Sequence, residues 1–214
     1  MATASGKGTR DKAATRSELL AAVARLLARD GFASLGVNAV AREAGVDKVL
    51  IYRYFGGMAD LLREFGESGG FWPTIEEIVG TGDESLTDLT VADRWATVLA
   101  RYAEALRRRP VTKEILAWEQ IEQNDLTEVL QEVRQRWFVE LMTLFAEDRR
   151  STTADLETTV LLLAAGIHYF VVRGRLQDDF SGVAIGSDEG WARLNDVIRT
   201  ICEQTLKPPE GDAP

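Results

Sequence analysis

The sequence predicts an all-α protein, and three observations predict it. Apolar residues recur at helical spacing along most of the chain, as in Leu19, Val23, Leu26 and Leu27. No apolar–polar alternation runs long enough for a strand, and no segment repeats. Glycine, proline and capping residues cut the chain into helix-length pieces. At 214 residues and 45 % hydrophobic content, a substantial core is within reach. The expected layout is a three-helix helix-turn-helix domain over 15–62 and a larger helical domain over 63–206.

The elements follow in order. Residues 1–14 are polar and basic and are expected to form a flexible arm; they lack the apolar stretch of a secretory signal. A first helix is expected from about Thr15 to Asp30, with Gly31 just past its end. Val37, Val40, Ala41 and Ala44 mark a short second helix closed by Gly45. Asp47 can N-cap a third helix, Lys48 to Phe55, which Gly56 and Gly57 end. A fourth begins near Met58 and meets Gly66, Gly69, Gly70 and Pro73, which are expected to soften or shorten it.

After a loop, "IVGTGDESLTDLT", Thr90 and Asp93 open a helix that runs to Arg107–Arg109 and stops at Pro110. Those three arginines favour the negative helix end, or form a second anion site. A short helix is expected over Thr112–Gln120. Leu126, Val129, Leu130, Val133, Trp137, Leu141, Leu144 and Phe145 then trace an apolar stripe of ~30 Å. Ala154–Arg173 is apolar on every side between Val160 and Val172, so it needs neighbours all round. A last helix carries Trp191, Leu194, Ile198, Ile201 and Cys202 on one face, and the tail 207–214 is expected to be disordered.

Charge and cysteine content narrow the function. The net charge is −9, but residues 1–66 hold 10 Lys and Arg against 7 Asp and Glu, so the acidity lies beyond them. A polyanion-binding part joined to a part that avoids polyanions fits this asymmetry. The longest apolar run, Val160–Val172, falls short of the ~20 residues of a membrane span. One cysteine, Cys202, excludes an internal disulfide and fits a reducing cytoplasm, where the protein is expected to reside. One histidine and one cysteine leave little for a metal site, and no paired catalytic carboxylates, nucleophile elbow or phosphate loop supports an enzyme. No cofactor is expected.

The segment "AGVD" joining the second and third helices is built for a tight crossing. Ala41 and Ala44 are small enough for close approach, and Gly45 supplies a positive φ. Val46 plugs the turn, and Asp47 restarts the chain. The third helix then offers Lys48, Val49, Tyr52 and Arg53 on one side, with Leu50, Ile51 and Phe55 on the other.

The stretch "DGFASLGVNAVAREAGVDKVLIYRYFGGMADLL" resembles the DNA-binding domain of the TetR family of transcriptional regulators. The resemblance covers about 50 residues without a gap and includes "AGV" and the "IYRYF" run. It implies double-stranded operator DNA as partner, with Lys48 and Val49 nearest the base edges and Tyr52, Arg53 and Tyr54 at bases or phosphates. Asn38 and Arg16 are further candidate DNA contacts. For Tyr52 the alternative is packing beneath the turn; for Lys48 and Arg53 it is a solvated face.

The sequence also departs from the family. Leu35–Gly36 stand in place of Thr-Thr, Asp47 in place of Ser, Val49 in place of Gly, and Met58 in place of Lys. The missing cation at Met58 lowers the expected salt slope by roughly 0.9, partly offset by Lys7, Arg10, Lys12 and Arg16.

For the remaining chain the resemblance implies a homodimer through helices at about 154–175 and 189–206, and a small-molecule effector. Trp95, Tyr102, Trp118, Trp137, Leu141, His168 and Tyr169 are the candidate ligand residues, pointing to an apolar or aromatic effector. Each aromatic has an ordinary core role as its alternative, and His168 a core or interface role. The expected function is a ligand-responsive regulator, a repressor released from a palindromic operator. The alternative is a helical small-molecule-binding or interaction protein of the same fold that has lost DNA binding.

Overall fold

A computed structural model gives the fold, describing residues 5–68, 71–80, 86–121, 123–152 and 154–208, without the side chains of 5–11, Ala33 and Leu126. Ten α-helices are formed among the described residues: α1 Ser5–Asp30, α2 Val37–Glu43, α3 Val49–Phe55, α4 Met58–Glu67, α5 Ile75–Val79, α6 Val91–Arg107, α7 Pro110–Glu119, α8 Asp125–Leu144, α9 Leu156–Arg173 and α10 Asp188–Thr205. No strand is present among these residues. The side chains of Lys7 and Arg10 lie outside this description, and so do residues 81–85 of the loop before Thr90 and the tail from residue 209.

Several helix starts are written in the sequence as caps. The side chains of Thr74, Thr90, Asp155 and Ser187 accept from backbone N–H groups three residues ahead. Asn124 and Thr127 cap α8 reciprocally, at 3.1 and 2.9 Å. Three boundaries differ from expectation. Helix α1 starts at Ser5, so the described part of the expected arm is helical: Lys12, Ala13, Ala14 and Arg16 are good helix formers, and no proline interrupts them. Pro110 begins α7 rather than preceding it, because its fixed φ and missing N–H suit a first helical position. Helix α5 was not anticipated, although Thr74 with Glu77 three residues on is its signature.

The chain forms two compact units, Met1–Trp72 with Pro110–Arg134, and Pro73–Arg109 with Gln135–Pro214. In the first, α1 packs on α2, α4 and α7. Leu19, Val23, Val40, Ile51, Leu61, Leu62 and Ile115 are fully buried there. Arg25 and Arg29 on α1 grip Glu43 on α2 at 2.9 and 3.2 Å and hold its carboxylate below the ordinary range. Gly66 lies inside α4, where an added Cβ would stand 3.0 Å from Leu130 and 3.1 Å from Val133. It is therefore a close-packing position rather than a soft one.

In the second unit α6 is the central helix, packed by α5, α9 and α10. Arg94 and Asp148, both buried, form an ion pair. Arg94 also donates to the carbonyls of Leu86, Thr87 and Leu89 at 2.9–3.0 Å, and Asp148 accepts from the Trp95 indole at 2.9 Å. This fully partnered cluster fixes the approach to α6 and the 3-10 turn at Ala146–Arg149. Arg107, Arg108 and Arg109 pair with Glu104, Asp188 and Glu77, which favours the structural reading of those arginines over an anion site.

Helix α9 buries Leu156, Val160, Ile167 and Val171 but leaves Leu161, Leu162 and Tyr169 half or more exposed. One of its sides is thus open in the single chain. By length and composition alone α9 could cross a membrane, although the sequence's longest apolar run is shorter than a span.

Candidate nucleic-acid interface

The turn between α2 and α3 is closed by backbone bonds that its residues dictate. Gly45 takes φ +66, its N–H donates to Arg42 O at 3.2 Å, and Val46 N–H donates to Ala41 O at 3.0 Å. Asp47 caps the new helix by accepting from Val49 N–H at 2.8 Å. At the far end Gly56, at φ +91, supplies the left-handed closure, with its N–H on Tyr52 O at 3.0 Å. Seven residues of α3 are thereby held between two fixed ends.

That helix is two-sided as expected. Ile51 and Phe55 are buried. Lys48, Val49, Tyr52 and Arg53 are exposed together at i, i+1, i+4 and i+5 spacing, with Val49 at 59 % and Tyr52 at 56 %. The exposure of Tyr52 argues against packing beneath the turn. An apolar side chain and a phenol are thus left in solvent beside two cations. Asn38 is exposed in the first turn of α2, as is Arg42 near its end, a cation that the sequence reading did not single out. Gly36 stands at the N-cap of α2 with no side-chain bond and open space where a Cβ would be.

Two candidates behave differently. Tyr54 is half-buried, and the Lys12 ammonium lies 5.6 Å from its ring centre. Arg16 donates to the carbonyl of Tyr54 and to the Glu64 carboxylate, and its guanidinium lies 4.5 Å from the Phe55 ring centre. Both terminal nitrogens of its guanidinium are thus bonded within the first unit. Nothing in the local sequence signals this, because the partners are 38 and 48 residues away.

The candidate ligand residues do not form one group. In the second unit Tyr102 on α6 stacks on Trp137 of α8, centroids 5.5 Å apart, and its hydroxyl bonds His168 Nε2 on α9. Leu141 is buried in the same unit. Trp95 is fully buried and bonded to Asp148, with its edge on Phe145 at 5.7 Å, so it is core. Trp118 belongs to the first unit, its ring against Gly31, where an added Cβ would come within 2.5 Å. Tyr169 is half exposed and meets Phe170 and Phe180 edge-on. Among the described residues no group of His, Cys, Asp or Glu is placed to hold a metal ion.

Comparison with known proteins agrees with this geometry. The family described as "Bacterial regulatory proteins, tetR family" matches residues 19–65, the span from α1 through α4. No curated protein matches the chain. The fold is that of the transcriptional regulator FadR from Bacillus subtilis in complex with stearoyl-CoA, at TM-score 0.63 and 16 % identity, covering 87 % of this chain and 96 % of that one. It is also that of the fatty acid degradation regulator FadR from Bacillus halodurans (0.64, 16 %, 91 % and 97 %). A TetR family transcription regulator from Marinobacter aquaeolei VT8 is similar too (0.58, 15 %, 91 % and 97 %). Residues 19–65 thus match the tetR family, and about nine-tenths of the chain shares the fold of these regulators.

Proposed function

We propose that this regulator is a homodimeric, cytoplasmic repressor that leaves a palindromic operator when a long apolar effector binds its second unit. The observation that carries the DNA half is the exposed set Lys48, Val49, Tyr52 and Arg53 on a helix fixed at both ends. Dimerisation through α9 and α10 is supported by their outward apolar residues, Leu161, Leu162 and Tyr169 on one, Val197 and Ile201 on the other. Open apolar stripes of this kind mark association surfaces, and two-fold pairing suits successive major grooves about 34–36 Å apart or further.

The effector reading rests on Tyr102, Trp137, His168 and Leu141, an aromatic and apolar group with one hydrogen-bonded polar pair. Two structural neighbours are fatty-acid regulators, one of them holding stearoyl-CoA, which favours an acyl chain over a compact aromatic ligand. An effector preferring a conformation unsuited to the operator lowers DNA affinity by that same preference.

Selection of bound duplexes from random DNA tests the reading, repeated with added fatty acids and acyl-CoA thioesters. A two-fold symmetric site lost on addition of one ligand class supports it. Recovery of no enriched duplex from the wild-type protein would favour the DNA-free alternative, to which Gly36 and Met58 already lean.

A further inference from the structure

Among the described cations of α1, Arg16 is the one hydrogen-bonded to two other helices. One guanidinium nitrogen donates to the Tyr54 carbonyl at the end of α3, a second to the Glu64 carboxylate on α4, and the flat face covers Phe55 at 4.5 Å. The Tyr54 carbonyl belongs to the last turn of α3, whose carbonyls lack partners within the helix. A helix of seven residues has little stability of its own, so its direction depends on what holds its ends. The start of α3 is held by Asp47; its end is held by the Gly56 closure and by this fork.

We propose that Arg16 is a positioning residue and that Glu64, through it, raises DNA affinity although it is itself an anion. The proposal rests on the DNA-binding reading of α3. Glu64 orients one arm of the guanidinium, the other arm fixes the carbonyl end of α3, and Phe55 sets the plane. A movement of α4 is then handed to α3 through this side chain as well as through their direct packing. Only arginine serves here: a lysine ammonium is a point charge and cannot occupy both partners and lie flat on a ring.

The proposal reverses the sign expected from charge alone. Removing an anion from a DNA-binding domain strengthens binding when only long-range attraction counts. Glu64→Gln tests this with a duplex recovered by selection and a random-sequence duplex of equal length, titrated over salt by fluorescence anisotropy. Arg16→Lys is measured beside it, thermal unfolding confirms that both variants fold, and amide exchange at residues 49–57 is followed without DNA.

The expected result is a loss of about tenfold on the selected duplex for each variant, the range of one charge-assisted hydrogen bond at a part-exposed site. The dependence of affinity on salt stays as in the wild type, the random duplex changes less than about twofold, and exchange at 49–57 quickens. Equal or tighter binding by Glu64→Gln, or wild-type binding by Arg16→Lys, overturns the proposal. If the wild type itself enriches no duplex, the regulator reading fails separately. Exchange then decides: unchanged rates at 49–57 in both variants overturn the fork, and faster rates uphold it.

Discussion

Glycines at three positions of the first unit look alike in the sequence and do different work. Gly31 combines φ +69 with the Trp118 ring 2.5 Å from a would-be Cβ, whereas Gly45 has φ +66 and open space. Gly31→Ala is therefore expected to cost about 2–4 kcal/mol, backbone strain plus overpacking, and Gly45→Ala about 1 kcal/mol, strain alone. Urea unfolding of the two variants gives the comparison; equal losses would mean that Trp118 yields freely. Cys202 offers a second test at this scale. Burial pushes its thiol up to about 11, with Arg199 working against the rise and Glu203 adding to it. The neutral thiol is thus favoured by folding. Its stabilising contribution is complete below the ordinary thiol range near ~8.5 and is lost as pH rises from there to about 11. Cys202→Ala should remove that part of the alkaline slope, and in the native protein Cys202 should resist thiol reagents at pH 8 until unfolding.

Among the elements, those set by near neighbours were legible and those set by distant ones were not. The α2–α3 turn follows from Gly45, Val46 and Asp47, and the closure of α3 from Gly56, all within a few residues. The inward commitment of Arg16 and the place of Trp118 against Gly31 depend on contacts across tens of residues, which periodicity does not report. Gly66 illustrates the same limit: a glycine in a helix reads as softness, but here it admits α8 to α4. Helix α4 is still short, ending at Glu67, and it begins at a half-buried Met58 where the family places lysine. Met58→Lys adds a cation in the first turn. Helix stability should fall by about 0.3–1 kcal/mol through the unfavourable end charge. Affinity for duplex DNA should rise, and the salt slope should steepen by roughly 0.9, the mark of one added phosphate contact. An unchanged slope would place residue 58 away from the backbone of the DNA.

For the whole molecule, the sequence carried the class of the fold and the polarity of the charge, with the basic excess confined to residues 1–66. What it blurred was membership of the ligand-side group. Of the seven candidates spaced along helices, Tyr102, Trp137 and His168 are joined by a ring stack and a hydrogen bond. Helical spacing identifies a face but not what that face meets. Helix α9 shows the converse, since its all-round apolarity became a buried side and an open one.

The central claim is that the exposed side of α3 reads DNA. Salt-titrated binding of the wild type, Lys48→Ala and Tyr52→Ala to a selected duplex measures it most directly. Both variants are expected to bind more weakly, by about 1–3 kcal/mol where a base contact is lost, with a slope lower by roughly 0.9 where Lys48 meets a phosphate instead. Binding by both variants as tight as wild type, at an unchanged slope, would contradict it.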